Sequence, residues 1–510
     1  MATNTTRIAK NTLALYFRQI LAMLVSLYTV RVVLEILGAE DYGIYTIIFG
    51  TVSMLGFLNG TLSTAINRFL TYELAKNDHN RLNDTFGAAR TINLILCGII
   101  ILIGQTLGLW FLLNRLVIPS DRIYIAIAIY QIAIVIFALR IILIPYSAVI
   151  LAHERFDIFA RFEIIKSVLK LLAVLLLPII VLDKLLAYGI LLLFISVILF
   201  TCNITYCMKY FPECKAGLCT KPEYIKPMLT YSGIDLYGNL SIIMRTQGIN
   251  ILLNLFFGPL LNAANGIATH IQGVVGSFSR NLLTAFRPQI IISYASNDKE
   301  QMTKYICYAA KYGFLLLFAI ILPVYLELPF ILAFWLGDVP YFTIEFVRIM
   351  LLLVLFANFS SAFASGLHAV GKIKIPSLLN GSIYSSVVPI TFFLFRAGFP
   401  PTVPFILNVV FLIFGAISNL IALRYHVNEF SIKYFLKVVI MPCIIITFLS
   451  SVMPILSVYF ILPGFLRFFI TTFASLIFIV LFTYFLGLEK EAKDFIQRKI
   501  SLGLAKCRSQ

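Results

Sequence analysis

The sequence predicts an all-α polytopic membrane protein of about fourteen transmembrane helices, arranged as two parallel-repeat six-helix lobes plus two C-terminal helices around a central cavity. Three observations carry this prediction. Of 510 residues, 60% are apolar and only 12% charged, whereas soluble domains carry roughly 25% charged residues. Apolar runs of about 20 residues or more, each long enough to cross ~30 Å of hydrocarbon, recur from end to end. The chain also repeats itself at an interval of 220 residues.

In order, the apolar runs are 11–36, 42–68, 87–112, 122–150, 163–182, 184–208, 229–257, 261–292, 306–334, 342–370, 377–398, 402–425, 434–462 and 464–487. The first follows a polar start, MATNTTRIAK. It is too long for a signal-peptide core and lacks a small-residue cleavage pattern, so it is expected to remain as the first span. Basic residues gather on alternate loops: Lys76, Arg81 and Arg90; Arg155, Arg161 and Lys166; Lys209, Lys215, Lys221 and Lys226; Lys299 and Lys304; Lys372 and Lys374; Arg424 and Lys433. That is the positive-inside bias, and it places both termini in the cytoplasm. The net charge of +17 therefore reports topology, and no nucleic-acid partner is expected.

The eight cysteines suggest neither disulfides nor a metal. Cys202, Cys207, Cys214 and Cys219 lie around a loop assigned to the reducing cytoplasm, and their spacing lacks the tight C-x2-C pair of zinc sites. Cys97, Cys307 and Cys443 read as small buried apolar residues.

The repeat rests on three pairs. Leu37-Gly38 with Tyr42-Gly43-Ile44 corresponds to Phe257-Gly258-Pro259 with Gly266-Ile267-Ala268. Ala65-Ile66-Asn67-Arg68 followed by Asp78 corresponds to Ala285-Phe286-Arg287 followed by Asp298. The stretch 152–156 corresponds to 369–373 at an offset of 217. An even number of spans per copy gives both copies one orientation. The expected domains are an N-terminal lobe (1–208, spans 1–6), a cytoplasmic linker (209–228), a C-terminal lobe (229–425, spans 7–12), two further spans (426–487) and a basic tail (488–510). No loop is long enough for a soluble catalytic head, and no G-x-x-x-x-G-K-[ST] motif is present to bind ATP.

Charges inside spans carry the functional reading. Arginine at the bilayer centre costs about 2.5–3.5 kcal/mol on insertion scales, so several in one chain favour a shared aqueous cavity over lipid. Arg140, Arg245 and Arg280 lie within about two turns of their span centres; Arg18 and Arg31 lie nearer the faces, where snorkelling competes, and Arg31–Glu35 can also pair locally at i, i+4. Arg348 also falls inside a span. Arg68 and Arg287, at cytoplasmic ends, read as anchors. On the stretch 258–293, helical winding lines up Asn262, Asn265, Thr269, Gln272, Gly276 and Arg280 as a polar stripe. Asp235, Glu327 and His270 are the candidates for coupling to H⁺ or Na⁺; apart from such an ion, no cofactor is expected. The cationic excess favours an anionic, phosphate-bearing substrate over lipophilic cations.

The motif residues Leu37-Gly38, Tyr42-Gly43-Ile44-Tyr45, Arg68 and Phe257-Gly258-Pro259 with Asn262-Ala263-Ala264 and Gly266-Ile267-Ala268 resemble those of the polysaccharide transporter family. Its members are Wzx-type flippases for O-antigen or capsule repeat units, within the superfamily of multidrug/oligosaccharidyl-lipid/polysaccharide exporters. The resemblance implies alternating access and an undecaprenyl-diphosphate-linked oligosaccharide moved to the periplasmic leaflet of the bacterial inner membrane. It also implies membrane lipids and polysaccharide polymerase or assembly proteins as partners. On this reading Arg140, Arg245, Arg280, Arg18 and Arg31 hold the phosphates, and Asn262, Asn265, Thr269 and Gln272 contact sugar hydroxyls. No residue is catalytic. A lipid II flippase and an ion-coupled multidrug exporter are the alternatives within the same superfamily. A membrane-embedded enzyme such as a polysaccharide polymerase fits less well, because the outer loops are short.

Overall fold

Backbone N–H and C=O groups in hydrocarbon have no water to bond, so a spanning segment satisfies them internally as helix. The computed structural model describes residues 2–56, 59–76, 78–153, 155–371, 374–489 and 493, with side chains described except at 2–22, 59–61, 64, 75, 156, 231–236, 285, 288 and 374–375. Among the described residues the regular structure is entirely helical. The helices are α1 (Ala2–Met54), α2 (Asn59–Ala75), α3 (His79–Ile103), α4 (Leu109–Asn114), α5 (Ile123–Ala152), α6 (Phe156–Leu176), α7 (Lys184–Tyr210), α8 (Pro222–Phe257) and α9 (Pro259–Ala295). They continue as α10 (Lys299–Leu326), α11 (Leu328–Leu336), α12 (Thr343–Val370), α13 (Lys374–Arg396), α14 (Val403–His426), α15 (Ile432–Phe435), α16 (Met441–Phe460) and α17 (Phe465–Phe482).

Each of the fourteen expected runs overlaps helix, and the run at 42–68 is shared between the end of α1 at Met54 and α2 from Asn59. Ten helical stretches among the described residues are long and apolar enough to cross a membrane. The runs at 163–182 and 261–292 are less apolar for visible reasons. α6 carries Glu163, Lys166 and Lys170, and α9 carries the asparagines and arginines of the polar stripe. The run at 306–334 is divided at Glu327, where α10 stops and α11 begins with Pro329 in its first turn.

By internal contacts the chain divides into two units. Unit one comprises Met1–Ile267, Asp338–Thr343 and Asn380–Pro404; unit two comprises Ala268–Gly337, Ile344–Leu379 and Phe405–Gln510. In unit one, α5 is the central helix and packs against α1, α2, α3, α6 and α7. In unit two, α16 and α17 pair with each other and both lie on α10.

The internal repeat has a structural counterpart in each unit's core. Leu70, Leu82, Phe86 and Ala89 belong to the buried cluster of unit one. Ile290, Met302, Ile306 and Ala309, each 220 residues further on, belong to that of unit two. Asp78 caps α3 by accepting from the Arg81 N–H, and Asp298 caps α10 by accepting from the Gln301 N–H. Gly38 bends α1 at φ +76°, and Gly258 separates α8 from α9 at φ +82°. A side chain in that left-handed region is strained, so both corners call for glycine. Gly43 serves close approach instead: a Cβ there would lie 1.9 Å from the Pro259 carbonyl oxygen.

The corner after Gly38 is tied by charge. Arg122, just before α5, donates to Asp41 at 2.8 Å and also to Asp183, whose carboxylate caps α7. Asp41 lies between the first two expected spans and is 4% exposed. Burial pushes its carboxyl up to about 6 against the opposing pull of Arg122.

Candidate functional site

The ionisable side chains within the spans fall into two sets, and burial together with pairing separates them. The first set is compensated. Glu327 is fully buried between α10 and α11. Its Oε2 accepts from Arg467 Nε at 3.2 Å and from Nη2 at 3.0 Å, while its Oε1 accepts from the Thr471 hydroxyl at 3.1 Å and lies 2.9 Å from Arg467 Nε as an ion pair. Lys311 of α10, 2% exposed, lies 3.5 Å from Glu489, which also accepts from the Tyr308 hydroxyl. Lys311 further sits 5.2 Å from the Tyr312 ring centre. Sequence reasoning missed Lys311, although it stands five residues inside an apolar run.

The second set has no acidic partner among the described residues. The ion pairs among the described residues include none of Arg31, Arg140, Arg245, Arg280 and Arg348. In unit one, Arg245 of α8 lays its guanidinium 4.4 Å from the centre of the Tyr384 ring, and its Nη1 is buried without a hydrogen-bond partner. Arg140 of α5 is exposed, as is Lys170 of α6, a second cation within an expected span that sequence reasoning passed over. Arg31 and Glu35 are both exposed and do not pair with each other. In unit two, exposed Arg280 folds back along its own helix so that Nη2 donates to the Gly273 carbonyl at 3.0 Å. Arg348 of α12 stands 5.4 Å from the Tyr325 ring centre with its Nε buried and without a hydrogen-bond partner. The side chains of Arg18 and Asp235 lie outside the described residues.

The polar stripe of α9 divides along its length. Asn262 and Asn265 are buried in unit one, and their amides bond to α8. Asn262 Nδ2 donates to the Asn250 carbonyl and to Asn250 Oδ1 at 2.6 and 2.8 Å, while its Oδ1 accepts from Asn254 at 3.1 Å. Asn265 donates to the same Asn250 Oδ1 at 2.9 Å. Asn254 in turn exchanges hydrogen bonds with both backbone groups of Val117. The helical wheel placed these residues on one face correctly, but α8 supplies the polar groups that cover that face. Thr269, His270 and Gln272, in unit two, are half-buried.

No family model and no curated protein sequence matches the chain. Solved structures do. A lipid II flippase, MurJ, in an inward closed conformation is similar with a TM-score of 0.65 at 13% identity, over 93% of this chain and 98% of that one. An inward-facing multidrug resistance MATE-family transporter of the MOP superfamily is similar at 0.63 and 12% identity, over 81% and 98%. A MOP superfamily transporter from Pyrococcus furiosus, described as having a binding pocket of reverse polarity, is similar at 0.59 and 13% identity, over 82% and 95%. This chain shares its fold with a lipid II flippase and with MATE-family transporters of the MOP superfamily.

Proposed function

We propose that the protein is a flippase that moves undecaprenyl-diphosphate-linked oligosaccharide units from the cytoplasmic to the periplasmic leaflet of a bacterial inner membrane. It does so by alternating access between a six-span N-terminal and a six-span C-terminal lobe, and serves O-antigen, capsule or exopolysaccharide assembly. One observation carries this reading: among the described residues, Arg31, Arg140, Arg245, Arg280 and Arg348 in the spans of the two units make no ion pair, whereas buried Glu327 and Lys311 do. Left against lipid, Arg31, Arg140 and Arg280 together would cost roughly 8–10 kcal/mol. Water and an anionic substrate remove that cost. Guanidinium groups suit a diphosphate, which they bind through paired charge-assisted hydrogen bonds. Arg245 is the strongest of these, because its buried Nη1 still has a bond to make.

On this reading Arg140, Arg245 and Arg280 bind phosphate, and Thr269 and Gln272 contact sugar hydroxyls. Asn262 and Asn265 hold the α8–α9 corner, since their hydrogen bonds are already made within unit one. Glu327 is a structural ion pair, which leaves His270 and Asp235 as the coupling candidates. In cells making a surface polysaccharide through this protein, Arg245→Ala at equal protein level should abolish the polymer, and Arg245→Lys should keep part of it. Normal polymer in the alanine variant would overturn the assignment.

The likeness to a lipid II flippase over 93% of the chain supports a second reading with the same diphosphate chemistry and a different glycan. Rescue of a strain depleted of its lipid II flippase would select that reading.

A further inference from the structure

A cleft of about 740 Å³ opens within unit one between the last turns of α2 and the first turns of α8. Its volume falls in the range of small-ligand sites. We propose that this cleft recognises the phosphate-bearing head of a lipid at the cytoplasmic surface. The proposal rests on the topology in the functional reading above, and it gives that function a docking point ahead of the spanning arginines.

Two short polar ridges face the space. On α2, Arg68 and Tyr72 stand one turn apart; on α8, Glu223, Lys226 and Thr230 share a face. Lys76 lies 4.3 Å from the Tyr72 ring centre and brings a further cation to the mouth. The nearby acids are engaged elsewhere: Glu73 pairs with Arg81 at 3.6 Å, and Asp84 with Lys221 at 2.6 Å. Lys226 is exposed and makes no ion pair among the described residues. Among the described residues, Arg68 and Lys226 line the cleft, Lys76 stands at its mouth, and Glu223 is the carboxylate that lines it. The positive end of the 36-residue helix α8 adds to the same potential.

The remaining walls define the rest of the ligand. Phe69, Pro222 and Pro227 give an apolar side for the first carbons of a lipid chain. Tyr72 is 56% exposed, so its ring and hydroxyl are open to a sugar or glycerol group. Glu223 and Thr230 accept hydroxyl protons on the opposite side. The matching chemistry is an amphiphile whose phosphate meets Arg68 and Lys226 while a hydroxylated group lies between Tyr72 and Glu223. Both a prenyl-diphosphate sugar and a phosphatidylglycerol have that chemistry.

The test uses purified full-length protein in phosphatidylcholine nanodiscs, with binding of farnesyl-diphosphate-linked N-acetylglucosamine and of dioctanoyl phosphatidylglycerol measured separately by calorimetry. Saturable binding is expected. It should weaken about tenfold with Arg68→Gln or Lys226→Gln and more in the double variant, as for charge-assisted hydrogen bonds to phosphate. Melting temperature should not change, because both side chains are at the surface of the cleft. Preference for the sugar probe, weakened by Glu223→Gln, identifies the prenyl-linked source. Preference for phosphatidylglycerol, strengthened by Glu223→Gln, identifies a resident phospholipid. Equal binding by the double variant and wild type, or equal binding of farnesol, which lacks phosphate, would overturn the proposal. A protein that binds through Arg68 and Lys226 yet translocates neither probe would instead refute the flippase reading and leave the cleft assignment standing.

Discussion

Replacing Glu327 with Gln separates a structural charge from a coupling charge. In the native protein one oxygen accepts from Arg467 Nε at 3.2 Å and Nη2 at 3.0 Å, and the other accepts from the Thr471 hydroxyl at 3.1 Å. Glutamine keeps one acceptor oxygen and turns an amide N–H toward the guanidinium, so one contact becomes repulsive. The Arg467 side chain, 12% exposed, is then left as a buried cation without a counter-charge. Breaking a buried pair from one side costs about 3–5 kcal/mol, which lowers Tm on the order of 5 °C or more for a unit of this size. The assay is thermal unfolding in detergent followed with a thiol-reactive dye, since Cys307 and Cys443 are buried in the core of unit two. Glu327→Leu combined with Arg467→Met should recover most of the loss, because an apolar pair needs no compensation. A Glu327→Gln variant that melts like wild type but transports without pH dependence would refute the structural role.

The asparagine knot predicts a stability effect without loss of chemistry. Asn262→Ala removes three hydrogen bonds and strands buried partners on Asn250 and Asn254, costing about 3 kcal/mol; thermal unfolding should show it, with transport preserved at permissive temperature. Transport lost at unchanged Tm would return Asn262 to the substrate site. The corner carboxylate predicts a pH effect. Asp41 has its carboxyl raised from 3.8 to about 6 in the fold, so its favourable contribution is complete below 3.8 and is lost as pH rises through about 6. That difference is worth roughly 3 kcal/mol by pH 7. Asp41→Asn should flatten the dependence of Tm on pH between 4 and 7, and an unchanged slope would contradict the assignment.

The sequence resolved the features that the bilayer or the backbone imposes locally. Span positions follow from apolar length, and the repeat could be read because Gly38 and Gly258 occupy a conformation that few other residues adopt. Which charges are free could not be read, because compensation acts at long range. Glu327 meets Arg467, and Lys311 meets Glu489 far along the chain. A helical wheel likewise gives the face carrying Asn262 and Asn265, but not the α8 amides that cover it. Depth within a span singles out Arg140, Arg245 and Arg280, and none of the three makes an ion pair among the described residues.

The most direct test is translocation of a fluorescent prenyl-diphosphate oligosaccharide in proteoliposomes, with wild type compared to Arg245→Gln and ethidium as a cationic control. Wild type should move the diphosphate lipid, the variant should lose that movement at unchanged Tm, and neither should transport ethidium. Ethidium transport without movement of the diphosphate lipid, or a variant as active as wild type, would contradict the flippase assignment.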